Sequence, residues 1–354
     1  MTGLLLVTGG AGFIGAAIVE AALAEGWRVR VLDSLRPDVH AGESPPHPEA
    51  EFVKADVRDQ DAVRRALVGV DAVCHQAAKV GLGIGVQDAP DYVSTNSLGT
   101  AVLLAEMAAA GVGRLVLASS MVVYGEGLYL DGDRRVQAPA RRRADLEAGR
   151  FDPVSERTEE ILHPVPIGEE QPCDPRNVYA ATKLEQEMLA RTWTQGGGSA
   201  ALLRYHNVYG PGMPQGTPYA GVASLFRSAL ERDEAPRVFE DGRQRRDFIH
   251  VLDVARANIA ALRWTQSVAG ATARAFNVAT GVPHTIGEFA DVLAEAFRGP
   301  SPVRTGEFRM GDVRHITASA DRIADELDWR ASVGFDEGVR DFARAPLRAR
   351  VNGG

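Results

Sequence analysis

Cysteine is scarce in this chain. Two occur in 354 residues, Cys74 and Cys173, with no C-x-x-C spacing and no companion histidine pattern. That excludes a disulfide framework. It also leaves too few thiols for a structural zinc site, which takes about four ligands, so no metal is expected. Cys74, in the strand-like stretch Val73-Cys74-His75, reads as a small buried apolar residue. A low thiol count suits a reducing cytoplasm. Long apolar runs are missing as well. No stretch reaches the roughly 18 residues that suggest a membrane span, and the first residues lack the charged-then-apolar order of a secretory leader. Excess positive charge is absent, since the formal net charge is −8, which argues against a nucleic-acid partner. A cytoplasmic protein with neither membrane nor nucleic acid as partner is therefore expected.

What is present is alternation. A chain of this length exceeds the roughly 250–300 residues of one core, so two lobes around one cleft are expected. Short apolar runs at Leu4–Val7, Arg28–Leu32, Glu51–Lys54, Ala72–His75 and Arg114–Ala118 are separated by helical patterns. In Phe13–Glu25, Ile14, Ile18, Ala21 and Ala22 share one face and Gly26 is the stop. The order implies an α/β fold with a doubly wound parallel sheet. Further along come a helix at Tyr179–Thr192, a strand at Ala200–Tyr205 and a Gly/Pro loop at Gly210–Pro218. Arg246–Thr265 begins extended and turns helical, and Ala275–Val278 is a strand. Thr285 with Glu288 has the form of a capping box opening a helix to Phe297. Beyond Phe342 little apolar pattern remains, and fraying is expected. Residues 126–172 are rich in Pro, Arg, Asp and Glu without a clear period. They are expected to form a long excursion over the cleft, with one short helix near Arg141–Ala148.

The first strand runs into Thr8-Gly9-Gly10-Ala11-Gly12-Phe13-Ile14-Gly15 and then a helix. Glycines there let the backbone turn tightly and approach a pyrophosphate, which the helix N-terminus holds with unpaired N–H groups. Asp33 ends the second strand, where a carboxylate accepts hydrogen bonds from ribose hydroxyls and repels a 2′-phosphate. The pattern predicts a Rossmann domain binding NAD through Gly9, Gly12, Phe13, Ile14, Gly15 and Asp33. Asp56 is placed to meet the adenine amine or to cap a helix, with Asp59 as the competing cap. Tyr179 and Lys183, four apart, share a helix face. A tyrosine pKa near 10 is too high for a base at neutral pH. A nearby ammonium and a positive nicotinamide ring are expected to lower it. Ser120 ends the strand Leu115–Ser120 at the carboxyl edge of the sheet, where ligands sit.

These motifs, with ADVRD, HQAA, NSLGT, SSMVVYG, LRYHNVYGPG, RRDFIHVLDVA and FNVATG in that order, resemble the extended short-chain dehydrogenase/reductases of the nucleotide-sugar epimerase/dehydratase group. The likeness spans Leu4 to about Asp328. It implies Tyr179 as base, Lys183 on the nicotinamide ribose and Ser120 on the sugar hydroxyl. It also implies Asp56, Val57, Gln76, Ala77, Ala78 and Asn96 on the cofactor side. On the substrate side it implies Val122 beside the sugar, Asn207 and Arg246 on the diphosphate, and Arg309 and Asp312 at the nucleoside end. The implied layout is a cofactor domain from 1–206 and 244–280, carrying the 126–172 insertion, and a smaller, discontinuous α/β substrate domain from 207–243 and 281–345.

Dehydratases of this group carry an acidic pair after the catalytic Ser/Thr; here stand Met121 and Val122, which move no protons. Ketoreductases often use NADPH, which Asp33 disfavours. The resemblance thus implies an NAD-dependent 4-epimerase acting on a dTDP- or UDP-linked sugar. Dehydratase, ketoreductase and a non-catalytic NAD sensor are the alternatives. Tyr124-Gly125-Glu126-Gly127 and His206 resemble the dTDP-L-rhamnose 4-epimerase branch. The Cys-Pro-x-Cys element of that branch is absent near Asp152-Pro153-Val154-Ser155. A homodimer through the helices Ser94–Ala110 and Tyr179–Thr192 is implied in the same way.

Overall fold

The structure, a computed structural model, describes residues 3–37, 39–40, 47–81, 85–215 and 221–348. Residues 216–218 of the expected Gly/Pro loop lie outside them. From the N-terminus come β1 (Leu4–Thr8), α1 (Phe13–Ala24), β2 (Arg28–Asp33), β3 (Glu51–Lys54), α2 (Gln60–Ala66) and β4 (Ala72–His75). A short helix α3 (Ala89–Tyr92) and one turn of π-helix (Val93–Leu98) lead into α4 (Gly99–Ala110) and β5 (Arg114–Ser120). The 126–172 segment contributes β6 (Leu128–Asp131), β7 (Arg134–Gln137), α5 (Arg143–Glu147) and β8 (His163–Val165). Then follow α6 (Val178–Thr194), β9 (Ser199–Tyr205), β10 (Asn207–Tyr209), α7 (Val222–Glu231), β11 (Arg237–Val238) and β12 (Arg245–His250). The chain continues with α8 (Val251–Ser267), β13 (Thr272–Val278), β14 (Pro283–Thr285), α9 (Ile286–Phe297), β15 (Val303–Arg304), α10 (Asp321–Leu327) and α11 (Phe335–Arg344).

Seven parallel strands pair in the order β13-β9-β5-β4-β1-β2-β3. The crossovers run outward from β1 in both directions, which leaves a crevice at the carboxyl ends where the order reverses. Both sheet faces are buried, as the apolar strands require. Leu5, Val7, Val116 and Leu203 face α1 and α8; Leu6, Val73, Leu115 and Leu202 face the opposite layer with α2 and α4. A separate aromatic core joins Tyr209, Phe226, Phe248, Phe289 and Phe342 between β10, β12, α7, α9 and α11. Thr285 caps α9 reciprocally with Glu288, at 3.0 and 2.7 Å.

Two expectations are corrected. The 126–172 segment has more than a short helix. It folds as a three-stranded antiparallel sheet, β7-β6-β8, whose β6–β7 turn uses Gly132 at φ 63°. Nor does the chain fray at Phe342. Gly212 N–H donates to the Pro346 carbonyl at 3.2 Å and Arg348 N–H to that of Met213 at 3.1 Å, while Leu347 packs on the aromatic core.

Candidate active site

β1 delivers the chain into the glycine loop, and Gly12 caps α1 without any side-chain bond. A Cβ on Gly15 would lie 2.1 Å from the Gly9 carbonyl oxygen, and one on Gly9 2.6 Å from the Ala77 nitrogen. The loop, α1 and the Gln76–Ala78 segment therefore meet at a distance that only glycine permits. Asp33 is buried beside them, with Oδ2 accepting from Ala11 N–H at 3.0 Å and Oδ1 from Leu35 N–H at 2.9 Å. Beneath, Thr8 Oγ1 meets His75 Nδ1 at 2.6 Å, and His75 Nε2 meets Thr100 Oγ1 at 2.9 Å. Burial pushes His75 down to about 3, so this ring is a neutral strut. A bare helix N-terminus, a tight glycine loop and a fixed carboxylate fit the pyrophosphate and ribose of a dinucleotide.

The other cofactor-side residues gather around this loop. Asp59, not Asp56, caps α2, accepting from Ala62 N–H at 3.0 Å. The Asp56 carboxylate takes the Arg58 guanidinium at 2.9 and 2.7 Å, which holds its pKa below the usual range. Val57 is buried against Gly99. Gln76 accepts from the Tyr205 hydroxyl at 3.1 Å, and Ala78 is half-buried. Asn96 sits in the π-helical turn, a local widening common at functional sites. Its side chain accepts from Lys79 N–H at 2.7 Å and donates to Thr182 Oγ1 at 3.0 Å, tying the β4 exit to α6.

Asn177 caps α6, accepting from Ala180 N–H at 2.8 Å. The helix then carries Tyr179 and Lys183 on one face, with the Lys183 ammonium 6.0 Å from the centre of the Tyr179 ring. Burial pushes Tyr179 up to about 12, opposed by the Ser120 hydroxyl beside it. The expected depression by Lys183 is not seen. Its ammonium donates instead to the Ala118 carbonyl at 2.9 Å and is itself pushed down to about 7 by burial, with Glu187 opposing. Met121 and Val122 follow Ser120 in a short 3₁₀ turn and present no acid.

On the other side of the cleft, β10 pairs with β12, Asn207 standing opposite Phe248. The Asn207 Oδ1 is buried without a partner among the described residues. Arg246 donates to the Arg314 and Val313 carbonyls at 3.0 and 2.6 Å, which fixes its guanidinium against the segment before Ile316. Burial lowers the Arg246 pKa, while Glu126, Tyr129 and Asp312 oppose that shift. Arg309 stacks over Phe239 at 5.0 Å. Burial raises the Asp312 carboxyl, and Arg309, Arg246 and Arg141 pull it back. The expected residues thus form two groups: Ser120, Tyr179 and Lys183 at the sheet edge, and Arg246, Arg309 and Asp312 near one another, the two arginines pulling on the Asp312 carboxyl.

The pattern of the NAD dependent epimerase/dehydratase family matches residues 5–279. The chain belongs to that family. It is 34% identical over 348 residues to the dTDP-L-rhamnose 4-epimerase of Burkholderia thailandensis, covering 96% of this chain and 93% of the relative. The UDP-glucose 4-epimerase of Thermus thermophilus, solved with NAD, shares 30% identity at a TM-score of 0.75, covering 96% and 97% of the two chains. The UDP-N-acetylglucosamine 4-epimerase of Methanobrevibacter ruminantium, solved with UDP-N-acetylmuramic acid, shares 26% identity at a TM-score of 0.78, covering 97% and 98%.

Several groups in this family member escape sequence reading. Glu187, one turn past Lys183, accepts from Ser119 Oγ at 2.6 Å and from Arg204 at 2.9 and 2.7 Å. Arg204 in turn donates to the Tyr124 hydroxyl at 3.0 Å. The Arg348 guanidinium donates to the Ala11 and Gly12 carbonyls of the glycine loop. The signal that could have found them is a polar residue inside an otherwise apolar element, as with Arg204 in Ala200–Tyr205.

Proposed function

We propose that this protein is an NAD-dependent nucleotide-sugar 4-epimerase. One observation carries the reading. Ser120 and Lys183 flank Tyr179 at the carboxyl edge of the sheet, while the adjoining Met121 and Val122 offer no acid or base for water loss. An epimerase needs only one proton-transfer group, a hydride carrier and room for the sugar to turn. Tyr179, whose phenolate a positive nicotinamide ring would favour, would take the proton of the sugar 4-hydroxyl and return it after the ketone at C4 has turned over, with Ser120 polarising that oxygen. NAD, when bound, supplies the hydride acceptor and donor, so that the overall reaction is redox-neutral. Lys183 would hold the nicotinamide ribose close to the tyrosine. Gly9, Gly12, Phe13, Ile14, Gly15 and Asp33 hold the dinucleotide, with Asp56, Val57, Gln76, Ala77, Ala78 and Asn96 around it. Asn207 and Arg246 hold the diphosphate while the sugar rotates, a guanidinium fork matching two phosphate oxygens. Val122 lies beside the sugar, and Arg309 and Asp312 at the nucleoside end.

The same reading divides the chain into a cofactor domain (1–206 and 244–280) and a substrate domain (207–243 and 281–345). It assigns the enzyme to the cytoplasm and to deoxysugar assembly, which its two free thiols and its likeness to a rhamnose epimerase support. A homodimer is part of it: Val93, Leu98 and Met188 are 45%, 51% and 56% exposed on the adjoining π-helical turn and α6. A second copy would cover them, and light scattering giving a monomer mass would refute that part.

The deciding experiment incubates the protein with dTDP- and UDP-sugars without added cofactor, read by NMR of the sugar protons. A 4-epimer without net NADH establishes the activity and its sugar. A ketone or dehydrated product in place of an epimer overturns it.

A further inference from the structure

The 126–172 insertion does not end in solvent. It is tied to the walls of the substrate lobe by buried arginines. Arg141, just before α5, is 8% exposed, and its guanidinium reaches three groups. It donates to Glu240 Oε1 at 2.7 Å, to the Asp312 carbonyl at 2.6 Å and to the Phe151 carbonyl at 3.3 Å. Glu240 follows Phe239, and Asp312 closes the turn that begins at Arg309. One guanidinium therefore joins the two segments whose side chains make the Arg309–Phe239 stack, a planar face of the kind that accepts a nucleobase. Glu240 is 3% exposed and sits at φ 52°, a left-handed backbone that a non-glycine residue keeps only when its surroundings hold it. Its second oxygen accepts from Arg314 at 2.8 Å, so the carboxylate is held between two arginines.

We propose that Arg141 is a positioning residue for the nucleoside end of the substrate, which makes the insertion part of the substrate-recognition apparatus. The inference rests on the nucleotide-sugar reading above. The bonds of Arg141 go to Phe151, Glu240 and Asp312, away from Tyr179 and the glycine loop. Arg141 fixes the Phe239–Glu240 and Arg309–Asp312 segments against one another. Lysine could keep the ion pair with Glu240 but not the simultaneous bond to the Asp312 carbonyl, because its ammonium is a point and not a fork.

The test uses full-length protein with UDP and dTDP as calorimetric probes, beside kcat, KM and bound-NAD content with the preferred sugar nucleotide. Arg141→Ala is expected to weaken nucleoside diphosphate binding and raise KM by about tenfold or more, with kcat and NAD content held within about twofold. Arg141→Lys should recover part of the loss. Glu240→Gln, which keeps the side-chain shape, should shift KM the same way and serves if Arg141→Ala fails to fold. Unchanged binding in these variants overturns the inference, as does a fall in kcat or NAD content at constant KM. Wild-type protein that binds no nucleoside diphosphate would instead overturn the functional reading itself.

Discussion

The Lys183 ammonium lies 6.0 Å from the centre of the Tyr179 ring, and its hydrogen bond goes to the Ala118 carbonyl at 2.9 Å. The two side chains are one helical turn apart and both face the end of β5, where Ser120 stands. Tyr179 carries its proton in this arrangement, because burial holds its pKa at about 12. Replacing it removes the proton carrier and little else. Tyr179→Phe is expected to lower kcat by about 10³-fold while NAD and nucleoside diphosphate binding stay as in wild type. Single-turnover NMR together with calorimetry measures both. Undiminished turnover would mean that another group moves the proton.

Lys183 also links stability to pH. It is 3% exposed, and burial holds its folded-state pKa at about 7, against 10.5 for an ordinary lysine. Between those values the unfolded chain carries a proton that the folded chain has released, so this residue makes stability rise with pH across that window. Below pH 7 the folded protein carries a buried ammonium. Tyr179 acts in the opposite sense, but only above pH 10, where its raised pKa makes stability fall. Lys183→Met should therefore flatten the stability profile of the cofactor-free protein between pH 7 and 9.5. Urea unfolding at several pH values reads this directly, and an unchanged slope would assign the dependence to other groups.

The parts of the fold that were legible in sequence are those whose signal is local. Arg114–Ala118 read as a strand because both of its faces are buried, and the structure extends it only to Ser120. The Thr285–Glu288 box is likewise a short-range bond pattern. The insertion was illegible because β7 is short and shows Arg134, Arg135 and Gln137 to solvent, hiding the period of two. Its anchors are also remote, with Asp152 and Arg314 separated by 162 positions. Asn96 and Thr182 meet across 86 positions, so the glycine loop and the tyrosine were readable separately while the bond that joins their supports was not. Arg348 reaches the glycine loop from a tail whose one packed apolar residue, Leu347, makes no periodic signal.

Arg314 is fully buried and holds three carboxylates, Asp152 at 2.7 Å, Glu240 at 2.8 Å and Asp241 at 2.8 Å. Asp152 lies in the insertion; the other two precede β12. Removing the cation leaves these acids crowded together, with Arg141 still on Glu240. Arg314→Met is expected to cost about 3–5 kcal/mol, read as a lowered urea midpoint. A loss below about 1 kcal/mol would place the carboxylates in the range of hydrated surface pairs.

His206 gives a prediction of the opposite sign. It follows Tyr205, which pairs in register with Ser120. It is 4% exposed, and neither ring nitrogen has a hydrogen-bond partner among the described residues. Asn277 is near enough to favour the charged ring, but its amide already donates to the Ile167 and Ser319 carbonyls and its oxygen accepts from Tyr124. Burial wins and pushes His206 down to about 3, so the ring is neutral at neutral pH. A neutral imidazole has one donor and one acceptor, and leaving a buried polar group unsatisfied costs about 1–3 kcal/mol. Phenylalanine has a similar shape without that cost. His206→Phe should therefore stabilise the cofactor-free protein by about 1 kcal/mol, seen as a higher urea midpoint at an unchanged m-value. A lower midpoint would show that the larger ring is overpacked, or that the imidazole makes a bond in solution that offsets its burial.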